Sequence, residues 1–98
     1  DASWSRGLGD VYKRQVEVYD LRGNTKVFLS RYEDAIIDYN KAIEIDPHNA
    51  YLFFWRGFAF EVMQEYRKAT KDLSISLKLD PDFSLAKSLL DHIENKLI

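Results

Sequence analysis

Residues 50–83 read AYLFFWRGFAFEVMQEYRKATKDLSISLKLDPDF, and the 34 residues before them, 16–49, read VEVYDLRGNTKVFLSRYEDAIIDYNKAIEIDPHN. Laid over one another, the two stretches agree at seven positions: Arg22/Arg56, Gly23/Gly57, Tyr32/Tyr66, Ala35/Ala69, Asp38/Asp72, Asp46/Asp80 and Pro47/Pro81. Other positions keep their character, among them Val18/Leu52, Tyr19/Phe53, Ala42/Ser76 and Ile43/Leu77. Self-similarity at a period of this length marks a chain built by stacking one supersecondary unit on the next.

Each unit holds two helical patterns. The first runs near Val16–Leu29 and again near Ala50–Met63; the second runs near Glu33–Ile45 and again near Arg67–Leu79. In the second helix Ala35, Ile36, Tyr39, Ala42, Ile43 and Asp46 recur at three- and four-residue spacing, one face of a helix. Ser30 followed by Glu33 has the spacing of a capping box. Glu33 and Asp34 then fall in the first turn, where the helix dipole favours acids. Gly23 and Gly57 lie inside the first helices, where glycine costs about 1 kcal/mol relative to alanine. Such a glycine implies close helix–helix approach, with Ala35 and Ala69 expected opposite. Asp46-Pro47 and Asp80-Pro81 end the second helices, since proline clashes with the preceding turn and pushes its predecessor out of helical geometry.

These residues carry a family resemblance. Unit one offers Tyr19, Arg22-Gly23, Lys26, Ala35, Tyr39 and Pro47; unit two offers Phe53, Arg56-Gly57, Phe60, Ala69, Leu73 and Pro81. Tyr32 and Tyr66 stand at the turn within each unit. The pattern resembles the tetratricopeptide repeat over Val16 to Ile98. Arg-Gly in place of Leu-Gly resembles a bacterial variety of the family, and Lys26 departs from the pattern and is expected to weaken the first helix. The resemblance implies an all-α solenoid of antiparallel helical hairpins, about five helices in all: one repeat over 16–49, a second over 50–83, and a closing helix over 84–98. In that closing helix Leu85, Leu89, Ile93 and Leu97 recur every fourth residue. It reads as the cap that covers the last hairpin, with the first half of a further repeat as the alternative.

The resemblance further implies that the first helices line a concave groove for a protein or peptide. In this chain the lining would be Glu17, Asp20, Leu21, Asn24 and Phe28, then Tyr51, Phe54, Trp55, Phe58 and Val62, then Leu85, Ser88, Leu89 and His92. The helix over 50–63 is apolar nearly all round. Such a helix is either buried or presents an apolar patch to a partner. Self-association through it is a further reading. Some members of the family hold a partner's C-terminal carboxylate with a clamp of Lys, Asn, Asn, Lys and Arg. Those places fall on Asp20, Asn24, Trp55, Leu85 and Leu89, of which only Asn24 matches. A clamp for an anion needs cationic donors, so an acidic chaperone tail is not expected to bind.

Composition narrows the remaining classes. Fourteen basic residues against sixteen acidic ones give a net charge of −2, without the basic excess of a nucleic-acid binder. No apolar run approaches the roughly 18–20 residues that span a bilayer. Zero cysteines exclude disulfides and thiolate metal sites and favour a cytoplasmic setting. His48 and His92 make no pair at metal-ligand spacing, and no phosphate-binding glycine loop is present. Glu33, Asp34 and Asp38 have the spacing of a solvated helical face. No enzyme activity, metal or cofactor is expected of these residues. The alternative is an accessory region of a larger enzyme. The stretch Ser5–Gln15, SRGLGDVYKRQ, lacks periodicity and resembles the in-frame translation of a sequencing-library adapter. Residues 1–15 are therefore expected to be a non-native or disordered leader, and the natural sequence to begin near Val16.

Overall fold

The computed structural model describes residues 2–97 as five helices: α1 (Ala2–Phe28), α2 (Tyr32–Ile45), α3 (Ala50–Val62), α4 (Tyr66–Leu79) and α5 (Ser84–Lys96). Helices α1 and α2 form one antiparallel hairpin and α3 and α4 a second; α2 stacks on α3, and α5 closes against α4. The leading helices also touch, α1 with α3 and α3 with α5. This is an all-α solenoid of the expected kind.

Each leading helix stops in the same way. Ser30 and Gln64, one repeat apart, both lie in the left-handed region, at φ 61° and 64°. The next amide bonds back across the end of the helix, Arg31 N to Lys26 O at 2.7 Å and Glu65 N to Phe60 O at 2.9 Å. Ser30 N meets Val27 O and Gln64 N meets Glu61 O, each at 2.9 Å. This doubly bonded C-terminal cap satisfies the last free carbonyls of the helix. It also corrects the capping-box expectation. Arg31 flanks α2 and no side chain caps it, because Ser30 is spent on ending α1. Arg31 instead bonds Asp34 through two guanidinium nitrogens, at 2.7 and 3.0 Å. The second helices end at Asp46 and Asp80, ahead of the prolines, as their sequence requires. Asn49 then caps α3, its side chain accepting from Tyr51 N at 3.0 Å.

The helix expected from Val16 begins instead at Ala2, so of the non-native or disordered leader expected over residues 1–15, helical backbone over 2–15 bears on the disorder alone. The stretch contains no proline, and extending a formed helix fixes one residue per hydrogen bond gained, which is far easier than nucleating one. From Gly7 to Gln15 its packing is slight: these residues are all exposed, a Cβ on Gly7 or Gly9 would meet nothing within 4 Å, and the next residue, Val16, is buried.

Within each hairpin the two helices approach closely at the glycines. A Cβ on Gly23 would lie 2.6 Å from the Tyr39 ring, and one on Gly57 would lie 3.2–3.3 Å from Asp72, Leu73 and the Ala69 carbonyl. Ala35 and Ala69 are both fully buried, but the Ala69 carbonyl stands at Gly57 whereas the nearest atoms at Gly23 are those of the Tyr39 ring. A small core of Val16, Ala42 and Leu52 joins the hairpins, with Tyr19, Ile43 and Ile45 packed on it. A larger one of Phe54, Ala69, Leu73, Ala86 and Ile93 joins the second hairpin to α5.

A buried ion pair repeats beside these contacts. Asp38 and Asp72, one repeat apart, are 1% and 2% exposed. Asp38 is thus no part of a solvated face; α1 covers it. Arg56 grips Asp72 with Nε and Nη2, at 2.8 and 2.7 Å, and donates from Nη1 to Asn40 of α2 at 2.9 Å. In the first hairpin Lys26 Nζ stands 2.8 Å from Asp38 Oδ2, and Arg22 is looser at 3.5 Å. Lys26, expected to weaken α1, is instead the nearest counter-charge of a buried carboxylate.

Two predictions follow from this packing. Gly23→Val and Gly57→Val each lower the unfolding free energy by about 1–3 kcal/mol through overpacking, measured by urea titration; an unchanged midpoint would remove the close approach. Arg56→Met strands a buried carboxylate and costs about 3 kcal/mol or more, whereas Arg22→Met costs less than about 1 kcal/mol because its partner keeps Lys26.

Candidate functional site

The contact between α1 and α2 delivers a polar group to the face formed by the leading helices. Tyr39 springs from α2, is fully buried, and crosses α1 where Gly23 has no side chain. Its hydroxyl, buried with the ring, donates to Asn24 Oδ1 on the next residue of α1. Burial, reinforced by the negative charge of Asp20, by Tyr51 and by Asp38, raises the Tyr39 phenol well above its ordinary range. It therefore stays a protonated donor. Because Asn24 Oδ1 accepts this bond, its Nδ2 remains available as a donor.

Asp20 lies one helical turn before Asn24. Burial pushes its carboxyl above the usual range, and Oδ1 is enclosed without a hydrogen-bond partner. Arg22 and Lys26, the α1 cations that follow it, are turned to Asp38. Glu17, Asp20, Val16, Asp46, Asn49 and Leu52 line an open pocket of about 440 Å³ between α1 and the turn into α3. Asp46 there accepts from Asn49 Nδ2 at 3.1 Å.

The second hairpin differs at every equivalent place. Phe54, Phe58 and Leu73 stand where the first has Asp20, Asn24 and Tyr39. Trp55 lies at the centre of an aromatic group, its ring 6.0 Å from Tyr51, 5.4 Å from Phe54 and 5.7 Å from Phe58, all edge-on. Such edge-to-face pairs are favoured by ring quadrupoles. Phe83, just before α5, stacks on Tyr51 at 6.0 Å and packs on Phe54 at 5.1 Å. Trp55 Nε1 is buried without an acceptor.

The expected groove residues divide accordingly. Asp20 and Asn24 come together around Tyr39 Oη; Tyr51, Trp55 and Phe58 come together as one aromatic row. Phe54 does not line a surface, being 6% exposed in the larger core. A helix apolar all round must bury one side, and Phe54 is on it. Phe28 is 87% exposed at the end of α1, and Val62, Leu85 and His92 are exposed beyond the aromatic row. Leu89 is half-buried against the core. Tyr39 and Phe83 are members that the sequence alone did not assign to this face: Tyr39 was read as packing only, and Phe83 as the end of a repeat. Among the described residues no three His, Asp or Glu side chains gather as a metal site, and no helix is long and apolar enough to cross a membrane.

Stacked hairpins of one design, with their leading helices aligned on one face, define a helical-repeat module for protein interaction. Residues 23–64 match the family described as TPR repeat. The second TPR of human RPAP3, solved with the HSP70 peptide SGPTIEEVD, superposes with a TM-score of 0.82 at 30% identity, over 88% of this chain and 72% of that one. The second TPR of Spaghetti (RPAP3), bound to the HSP90 peptide SRMEEVD, gives 0.83 at 28% identity, over 90% and 83%. This chain belongs to the tetratricopeptide-repeat family. Among curated relatives it is 32% identical to sperm-associated antigen 1 of Mus musculus over 79 residues, 81% of this chain and 9% of that protein. It is also 32% identical to small glutamine-rich tetratricopeptide repeat-containing protein 2 of Saccharomyces cerevisiae, over 72% of this chain and 20% of that one. The chain thus spans a small part of the curated relatives it matches. These relatives are eukaryotic, and the bacterial flavour of Arg-Gly finds no support among them.

The unpaired Asp20 predicts a pH dependence. The folded state holds this proton more tightly than the unfolded chain does, so the contribution of Asp20 to stability is greatest when it is protonated. That contribution falls as pH rises from about 4, the ordinary carboxylate value, through the raised folded value. Asp20→Asn is expected to raise the melting temperature at pH 7, with the gain shrinking towards pH 4. A lower melting temperature at pH 7 would show that a partner holds Asp20 in the folded state.

Proposed function

We propose that this chain is a recognition module that holds a peptide or helical segment of another protein across α1, α3 and α5. The observation that carries the reading is the row of Tyr51, Trp55 and Phe58, rings in mutual contact yet left partly open on the face of the leading helices. Rigid amphipathic rings give large contact area at small entropic cost, and centrally placed tryptophans are typical anchors of binding energy. A preformed face lowers the ordering cost of association. On this reading the units are 16–49 and 50–83, and α5 covers the second. The module recruits and does no chemistry itself; any catalysis would belong to other parts of a longer protein.

The peptide complexes of the RPAP3 domains bear on the choice of partner. Those peptides end in Glu-Glu-Val-Asp. The places expected to hold such an end here carry Asp20, Asn24, Trp55, Leu85 and Leu89. Only Asn24, with its free Nδ2, suits an anion, and the Asp20 carboxylate opposes one. We infer that an acidic chaperone tail is not the partner.

The test uses the chain's own fluorescence. With the other tryptophan, Trp4, replaced by Phe, Trp55 alone reports. Peptides selected from a displayed random library are expected to bind saturably and to change the Trp55 emission. By isothermal titration calorimetry, which does not depend on the reporter, Trp55→Ala is expected to weaken them by about 2 kcal/mol, roughly thirty-fold. SRMEEVD is expected to give no saturable signal. Selected peptides that bind equally well to Trp55→Ala would overturn the reading.

A further inference from the structure

Three features of the molecule outside the aromatic row could take a ligand. The exposed apolar side of α1 around Val11 and Val18 has nothing beside it to say what covers it. His48 and Asp80 share a shallow depression with Tyr51 and Phe83, but none of these groups is strained or left unsatisfied. The third is the carboxylate of Asp20, and it carries further.

Asp20 has three properties that do not belong together in a residue kept for structure. Its Oδ1 is shut away from solvent without a donor. Its surroundings disfavour the charged form. The cations that the hairpin contacts bring in are engaged elsewhere: Arg22 and Lys26 with Asp38, and Arg56 with Asp72. The pocket it lines adds Glu17 and Asp46, against Lys13 as the one basic residue lining it among those described. An enclosed carboxylate is stabilised most by a charge-assisted bond from a cation that arrives from outside. Next to it the face turns aromatic, with Tyr51 and Trp55 in contact, and the same face thus offers ring quadrupoles that also attract cations.

We propose that the groove selects a segment carrying a lysine or arginine beside a large apolar side chain. The cation bonds Asp20 in the half built by the first hairpin, and the apolar side chain lies on Tyr51, Trp55 and Phe58 in the half built by the second. Asn24 Nδ2, fixed by the Tyr39 hydroxyl, donates to a backbone carbonyl of the same segment. The proposal rests on the groove reading above and specifies its ligand chemistry. The charge preference is the reverse of that needed for an acidic tail.

The experiment compares two fluorescent seven-residue peptide pools, acetylated and amidated so that their ends are neutral. One has Leu-Arg-Phe fixed at its centre and the other Leu-Glu-Phe, with neutral residues randomised around them. Anisotropy titration of the whole chain is expected to show the Arg pool bound about ten-fold more tightly, with the difference shrinking as salt rises. Asp20→Asn, which folds at least as stably by circular dichroism, is expected to lose that preference, and Asp20→Glu to keep part of it. Equal or tighter binding of the Glu pool overturns the charge proposal while leaving a peptide groove in place. The same holds if Asp20→Asn keeps the preference. Binding of neither pool, with peptides from a random library also failing to bind, overturns the groove reading and the proposal together.

Discussion

The ring of Tyr39 passes over α1 at a point where Gly23 has no side chain, and both fold and site depend on that passage. A hydrogen at Gly23 lets α2 lie close enough to α1 for a tyrosine to be fully buried between them. It also sets the length of the reach: with the ring pressed against the helix, the hydroxyl meets Asn24 and stops there. The hydrophobic body of the residue holds the hairpin together, and its polar end holds Asn24 beneath the proposed recognition face. Burying a phenol without a partner would cost roughly 1–3 kcal/mol, so Asn24 is tied to the same arrangement.

The second hairpin repeats the backbone of the first and changes its chemistry. Gly57 still admits a close neighbour, but the neighbour is Leu73, which brings no hydroxyl. The position of Asp20 becomes Phe54, which turns into the core under α5. The buried aspartates are kept in both hairpins, each held by cations from the leading helix, with Arg56 reaching across to Asn40 as well. Ion pairs of this kind add little to stability in themselves, since desolvation offsets most of the attraction. Their strength is geometric: they fix which turn of one helix faces which turn of the next. On that fixed frame the two halves of the proposed recognition face can diverge, one polar and one aromatic.

Much of the fold was legible because its signals were redundant. The period of 34, the prolines after Asp46 and Asp80, and the paired glycines all pointed to two stacked hairpins, and the five helices lie where that pattern puts them from Val16 onward. The misreadings have separate causes. Serine suits both an N-cap and a left-handed residue, and spacing alone does not separate them; only the matching φ at Gln64 shows that the position ends a helix. Asp38 carries a charge, and charge suggests solvent unless its partners Lys26 and Arg22 are seen on the facing helix. Residues 7–15 have no amphipathic period, which fits their exposure and not a lack of helix. Of the site, Tyr51, Trp55 and Phe58 were named through the family resemblance, which places the first helices along a groove. The role of Tyr39 in the polar half was not legible, because it arises from a contact between helices fifteen residues apart.

The most direct measurement is a double-mutant cycle on Tyr39 and Asn24, with urea unfolding of Tyr39→Phe, Asn24→Ala and the pair. If the hydroxyl that crosses at Gly23 is held by Asn24, the two changes are coupled by about 1 kcal/mol, and both single variants keep the helical signal of the parent. Strictly additive losses would mean that the hydroxyl is held by something else. The link drawn here between hairpin packing and the recognition face would then be broken.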